Sequence, residues 1–154
     1  DYIFNYREKT AYTLRQMEEY EPYVKDTVGL DGCSYDVLSM IYVARNLDYS
    51  GLKKGEKIPI KIFLDNETHD SYIEFLGIKN LKIKDVGEFR CIVFSPLLIE
   101  GTIFNSGNGM TVYVTDDQNR IPLLIETPIL VGSIRARVNK MKGLRFPLNS
   151  KISD

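Results

Sequence analysis

The chain has 154 residues, 44% hydrophobic and 27% charged, which suits one globular domain and excludes a disordered polymer. Its 20 Lys and Arg against 21 Asp and Glu leave a net charge of -1, so no nucleic-acid partner is expected. No apolar run of about 18 residues offers a transmembrane segment, and Cys33 and Cys91 lack both the number for a disulfide scaffold and the CxxC spacing of a metal or redox motif.

Two free buried thiols are favoured over one bridge, because cysteine behaves as a small hydrophobe. Ten Tyr and seven Phe without Trp suit strand packing better than an aromatic ligand surface. The chain opens without Met. It is read as one domain over residues 1–154, the trimmed C-terminal portion of a longer mature protein.

In chain order, Tyr2, Phe4 and Tyr6 alternate, and Tyr12, Leu14 and Gln16 continue a second strand beyond the REKT turn. A helix over TLRQMEEYE, capped by Thr13, is the competing reading. Tyr23 to Gly32 is polar and glycine-bearing and carries no assigned element. Val37, Leu38, Met40, Ile41, Ala44 and Leu47 then recur at helical offsets. They predict a helix over 35–48 with Ser34 as its cap, Gly51 beyond its end and an apolar stripe packed on a sheet.

Ile58, Ile60 and Ile62 form the next strand, with Pro59 near its start or on an edge. DNETHD is a turn holding His69, the single histidine. Ser71 to Leu76 is a strand, and Gly77 permits a bend or bulge. Leu81 and Ile83 alternate with lysines before a turn at Asp85 to Gly87; Phe89 to Phe94 is a strand stopped by Pro96. GTIFNSGNG is a loop with one apolar pair, Ile103 and Phe104, and lacks the phosphate-loop pattern.

The C-terminal quarter, Gly109 to Val138, reads as strand, acidic turn, strand, break and strand. Both faces of Ile121 to Val131 are partly apolar, so this stretch is either doubly buried or lines a ligand groove. Pro122 and Pro128 suit strand ends or bulges, and Gly132 a bend. Ile134, Ala136 and Val138 predict an inward face, with Arg135 and Arg137 outward on a basic C-terminus. The fold class expected is α+β, mostly β: a curved antiparallel sheet, open or partly closed as a barrel, around one main helix.

Asp116 and Asp117 are the first residues to weigh for chemistry. Adjacent carboxylates can bind a hard cation or act as acid and base. Within TDDQNR they suit a turn better, since Asp and Asn side chains accept from nearby backbone N–H groups. A DxDxDG calcium loop is absent, so neither metal nor cofactor is expected. Arg120 is placed to pair with either aspartate. Arg45, with Asp48, is read as a surface or capping interaction.

The order of TDD, RIP and VGSI, with YDVLSMIYVARNLDYSG and LGIKNLKIKDVGEFRCIVFSP before them, resembles the uncharacterised DUF3108 family, in particular its Bacteroidetes branch. The resemblance runs from about Tyr35 to Leu144. It implies an exported protein of the periplasm or cell envelope, with no assigned enzymatic activity and further β-structure upstream. The function expected is non-enzymatic binding of a lipid or other amphipathic molecule in a curved-sheet groove. The alternatives are a structural or interaction module with an envelope protein or polymer as partner, and a hydrolase using Asp116 or Asp117.

Overall fold

The computed structural model describes residues 1–16, 18–97, 109–128 and 132–153. Strands dominate the described residues, with one helix among them. The elements run β1 (Tyr2–Asn5), β2 (Thr10–Arg15), β3 (Val24–Gly29), β4 (Ser34–Tyr35), α1 (Val37–Asn46), β5 (Lys57–Leu64), β6 (Glu67–Ile83), β7 (Gly87–Pro96), β8 (Thr111–Thr115), β9 (Pro122–Pro128), β10 (Ser133–Arg137) and β11 (Lys151–Ser153). One sheet has the order β1-β2-β3; the other has the order β10-β9-β8-β7-β6-β5-β4, with β11 added to β7. The sheets are curved and do not close into a barrel, and the second is mixed because β4 pairs parallel with β5. The mostly β fold with one helix is therefore as expected.

The chain divides into two compact units: residues 1–42 with 60–70, and residues 43–59 with 71–154. In the first unit β1, β2 and β3 form an antiparallel meander. Alternation buries Ala11 and Thr13 and turns Tyr12 outward. Ala11, Leu30 and Phe63 are buried together, with Tyr2, Phe4 and Val28 against them. Tyr2 and Phe4 meet Phe63 edge-on at 5.3 and 5.7 Å between ring centres, a favoured aromatic geometry. The helix considered for TLRQMEEYE does not form; β2 runs through to Arg15.

β3 was not anticipated. Its residues VKDTVG are almost wholly exposed on a sheet edge, so the strand carries no alternating apolar signature. β5 and β6 are separated by Asp65 and Asn66 at φ of 50° and 66°, the left-handed pair that a two-residue hairpin turn requires. His69 consequently lies within β6, not in a turn. The helix cap is Asp36, whose carboxylate accepts from the Ser39 N–H at 2.9 Å; Ser34, expected as the cap, sits in β4. Met40 and Ala44 are buried while Ile41 and Tyr42 are exposed, and the side chains of Val37 and Leu38 lie outside the described set.

In the second unit β7 is the central strand, held by β6 and β8 with antiparallel registers. Every residue from Cys91 to Pro96 is buried, so CIVFSP reads as a nearly continuous apolar run. Phe89, Cys91, Val93 and Leu123 form a fully buried cluster. On the opposite parity Phe94 stacks on Tyr49 at 5.6 Å, and Phe75 tilts onto the same ring at 5.8 Å. The predicted irregularity at Gly77 is present: the β6–β7 register shifts between Phe75 and Gly77, with φ of 101° at the glycine.

β10 departs from expectation. All five of its residues are exposed, Ile134 and Ala136 among them, so of the expected inward face only Val138, just beyond the strand, packs against the core cluster. Its only strand partner among the described residues is β9, and an edge strand need not bury either face. Ile103 and Phe104 lie outside the described residues, as does the Ile129–Val131 end of the Ile121 to Val131 stretch.

Candidate functional site

The acidic turn between β8 and β9 is built from backbone upward. Thr115 N–H donates to the Ile121 carbonyl at 2.9 Å, and Ile121 N–H returns to Thr115 Oγ1 at 2.8 Å. Asp117 Oδ1 accepts from the Asn119 N–H at 2.9 Å and from Thr115 Oγ1 at 3.0 Å, the local bonding expected of an aspartate turn. Its other oxygen looks outward along the chain. Oδ2 accepts from Ser150 Oγ at 2.6 Å and from Ser150 N–H at 3.3 Å. Burial raises the Asp117 pKa, but the bonds from Ser150, Asn119 and Thr115 outweigh it, and the carboxyl is held below its ordinary range.

Asn119 completes a second clamp on the same segment. Its Nδ2 donates to the carbonyls of Phe146 at 3.0 Å and Pro147 at 3.2 Å, and its Oδ1 accepts from the Phe146 N–H at 3.0 Å. Asp116 takes a separate role: Arg90 Nε donates to its Oδ2 at 2.7 Å, and Arg120 Nη1 lies 3.5 Å from Oδ1. The second contact is Coulombic without a directed hydrogen bond, since Arg120 Nη1 finds no such partner. Arg120 also spans the Tyr49 ring at 5.9 Å.

Asp116 and Arg120 thus pair as the sequence suggests, and Asp117 is turned to different partners. Arg45 reaches across to the turn. It donates to the carbonyls of Arg120 at 2.8 Å and Asn119 at 3.0 Å, while Asp48 accepts from Ser50. The Asp116 and Asp117 carboxylates and the Asn119 amide are committed to protein partners, whereas Arg120 Nη1 is buried without a hydrogen bond. The arrangement fastens the segment before β11 to the β8–β9 connection; it presents no free carboxylate pair in a cleft. Among the described residues no group of three or more His, Cys, Asp and Glu could hold a metal ion.

Leu123 is fully buried in the core cluster and Ile121 packs against it, so this part of Ile121 to Val131 fills the interior. The cysteines differ. Cys91 is buried and its thiol is pushed up to about 12, by desolvation first and the Asp116 charge second; Cys33 is exposed, against the expectation that both are buried.

The described groove lies elsewhere, on the outer face of β1-β2-β3. Ile3 opposes Tyr12, Tyr12 opposes Thr27, and Leu14 opposes Lys25. These residues share one face by strand alternation. With Asp1, Thr13 and Asp26 they line a concavity of about 500 Å³, within the range of small-molecule sites. Ile3 is 68% exposed and Tyr12 42%, so the floor is apolar and open to solvent. Alternation marks β1 and β2 in the sequence but nothing marks the third strand, and without β3 the face is only two strands wide.

No helix among the described residues is long and apolar enough to cross a membrane. No curated protein matches the chain, and no solved structure matches it. The family comparison begins at the first residue, well ahead of Tyr35, and takes in the three-stranded sheet. With residues 1–139 matched by the model described as "Protein of unknown function (DUF3108)", the chain belongs to that family.

Proposed function

We propose that the protein binds a hydrophobic or amphipathic ligand, without chemistry upon it, on the outer face of β1-β2-β3. The observation that carries this is the concavity of about 500 Å³ with Ile3, Tyr12 and Leu14 on its floor and Lys25 and Thr27 along β3. An apolar floor edged by few polar groups is the usual composition of a small-molecule site. A place in the Bacteroidetes branch and a periplasmic or cell-envelope address belong to the same proposal, from the resemblance of the sequence motifs. The test is titration calorimetry with palmitate and with lysophosphatidylcholine. Binding should weaken at least about tenfold in Ile3→Glu, which places a charge on the apolar floor. No binding of either probe by the unaltered chain, or equal binding by Ile3→Glu, removes the proposal.

A second reading, a module that docks on an envelope protein, is favoured by one observation. Tyr20 and Tyr23, between β2 and β3, and Val24, the first residue of β3, are 93%, 60% and 47% exposed. Tyrosines on a surface are apt contact residues. Loss of a co-purifying protein in Tyr20→Ser with Tyr23→Ser supports that reading; unchanged co-purification removes it.

A further inference from the structure

We propose that the β7 edge at Gly87–Arg90, together with the Thr115–Asn119 turn, is a strand-acceptor site whose partner is the Phe146–Ser153 segment of a second copy of this chain. β8 covers β7 only from Cys91 to Phe94. The vacated edge is taken by β11, with Lys151 opposite Phe89 and Ser153 opposite Glu88, and Arg90 N–H donates to the Ser150 carbonyl at 2.8 Å. An uncovered edge at that place would expose a row of backbone donors and acceptors.

The acceptor reads its strand through distinct devices. Asp117 binds the hydroxyl and N–H of Ser150, which is 1% exposed. Asn119 binds the backbone of Phe146 and Pro147. The Phe89, Cys91, Val93 and Leu123 cluster receives Leu148. Gly87 has no Cβ where one would stand 2.7 Å from the Ser153 carbonyl oxygen. This is strand addition with side-chain pockets, the pattern by which extended peptides are recognised at sheet edges.

The acceptor residues fall inside the stretch matched by the family and the occupant falls beyond it, after residue 139. The connection between them is slight. Val138 N–H donates to the Leu123 carbonyl at 2.8 Å, Met141 packs against the Leu123 cluster, and the next hydrogen-bonded clamp is at Phe146. Between these, residues 139–145 are exposed apart from Met141 and hold no helix or strand. Seven extended residues reach about 24 Å. Gly143 turns this connection back at φ of 64°, a conformation open to glycine and strained for other residues. Straightening it lets the segment enter a neighbour's acceptor with every clamp contact preserved, which is the economy of a strand exchange.

The test uses full chains carrying Cys33→Ser, one with Glu88→Cys and the other with Ser153→Cys. They are mixed, unfolded and refolded together at high concentration, then oxidised. A disulfide between the two chains is expected, and Gly143→Pro in both, which denies the turn its positive φ, should increase it on the order of tenfold. A chain carrying both Glu88→Cys and Ser153→Cys reports whether the fold and the strand register survive, by closing on itself in dilute solution. If that chain closes and the mixed chains form no adduct at any concentration, the proposal is overturned. It is equally overturned if Gln118→Cys, on the exposed tip of the turn, captures Ser153→Cys as readily as Glu88→Cys does.

Discussion

Replacing Asp117 with Ala should destabilise the protein by about 3 kcal/mol. The carboxylate accepts from Ser150 Oγ at 2.6 Å, Ser150 N–H at 3.3 Å, Asn119 N–H at 2.9 Å and Thr115 Oγ1 at 3.0 Å. A hydrogen bond to a charged group contributes roughly 1.5–3 kcal/mol singly, and bonds sharing one carboxylate do not add. Ser150 and Thr115 are 1% and 0% exposed, so water cannot readily replace the lost acceptor. In urea unfolding at pH 7 the variant should fall short by that amount, and its melting temperature should drop by about 6–12 °C. Because the folded Asp117 carboxyl is depressed, its contribution is full above the unfolded value of about 3.9 and fades as pH falls through the folded one. The gap between unaltered chain and variant should therefore narrow as pH falls below about 4. A gap under about 1 kcal/mol at pH 7, or one that persists unchanged at pH 2, refutes the clamp.

Leu123→Ala opens a cavity in the fully buried cluster with Phe89, Cys91 and Val93. Urea unfolding should show a loss of about 2–5 kcal/mol. In Gly87→Ala the new methyl would stand 2.7 Å from the Ser153 carbonyl oxygen at φ of 131°. Hydrogen exchange should then show lost protection at Lys151 and Ser153, with the first unit unchanged. Iodoacetamide at pH 8 should label exposed Cys33 on the order of a thousandfold faster than Cys91, whose thiol stands at about 12; peptide mass spectrometry measures the ratio.

What could be read from the sequence followed burial. β1, β2 and the bulge at Gly77 announced themselves because one face of each alternates or a glycine interrupts it. TDDQNR was legible as a turn, since its bonding is local. β3 and β11 are exposed along nearly their whole length, so hydrophobic periodicity missed them; β10 was legible as a strand from its alternation, which did not mark its residues as exposed. The site suffered from distance along the chain. Arg45 lies 75 residues from the carbonyl it binds, and Asp117 lies 33 from Ser150. No local motif marks such a pair, because the contact is made by sheet register and not by spacing. The outer-face groove was hidden for a related reason, since its third strand has no apolar signature of its own.

Asn119 carries one last implication. Its amide uses the oxygen to accept from Phe146 N–H and the nitrogen to donate to two carbonyls, so the side chain has a single workable orientation. Deamidation swaps that nitrogen for a charged oxygen and leaves the volume almost unchanged. An oxyanion would then face the oxygens of Phe146 and Pro147, turning attraction into repulsion with one atom. Chemical ageing of the chain at this position would act as a slow, irreversible release of its own C-terminal segment, visible as a mass gain of about 1 Da accompanying the loss of protection there.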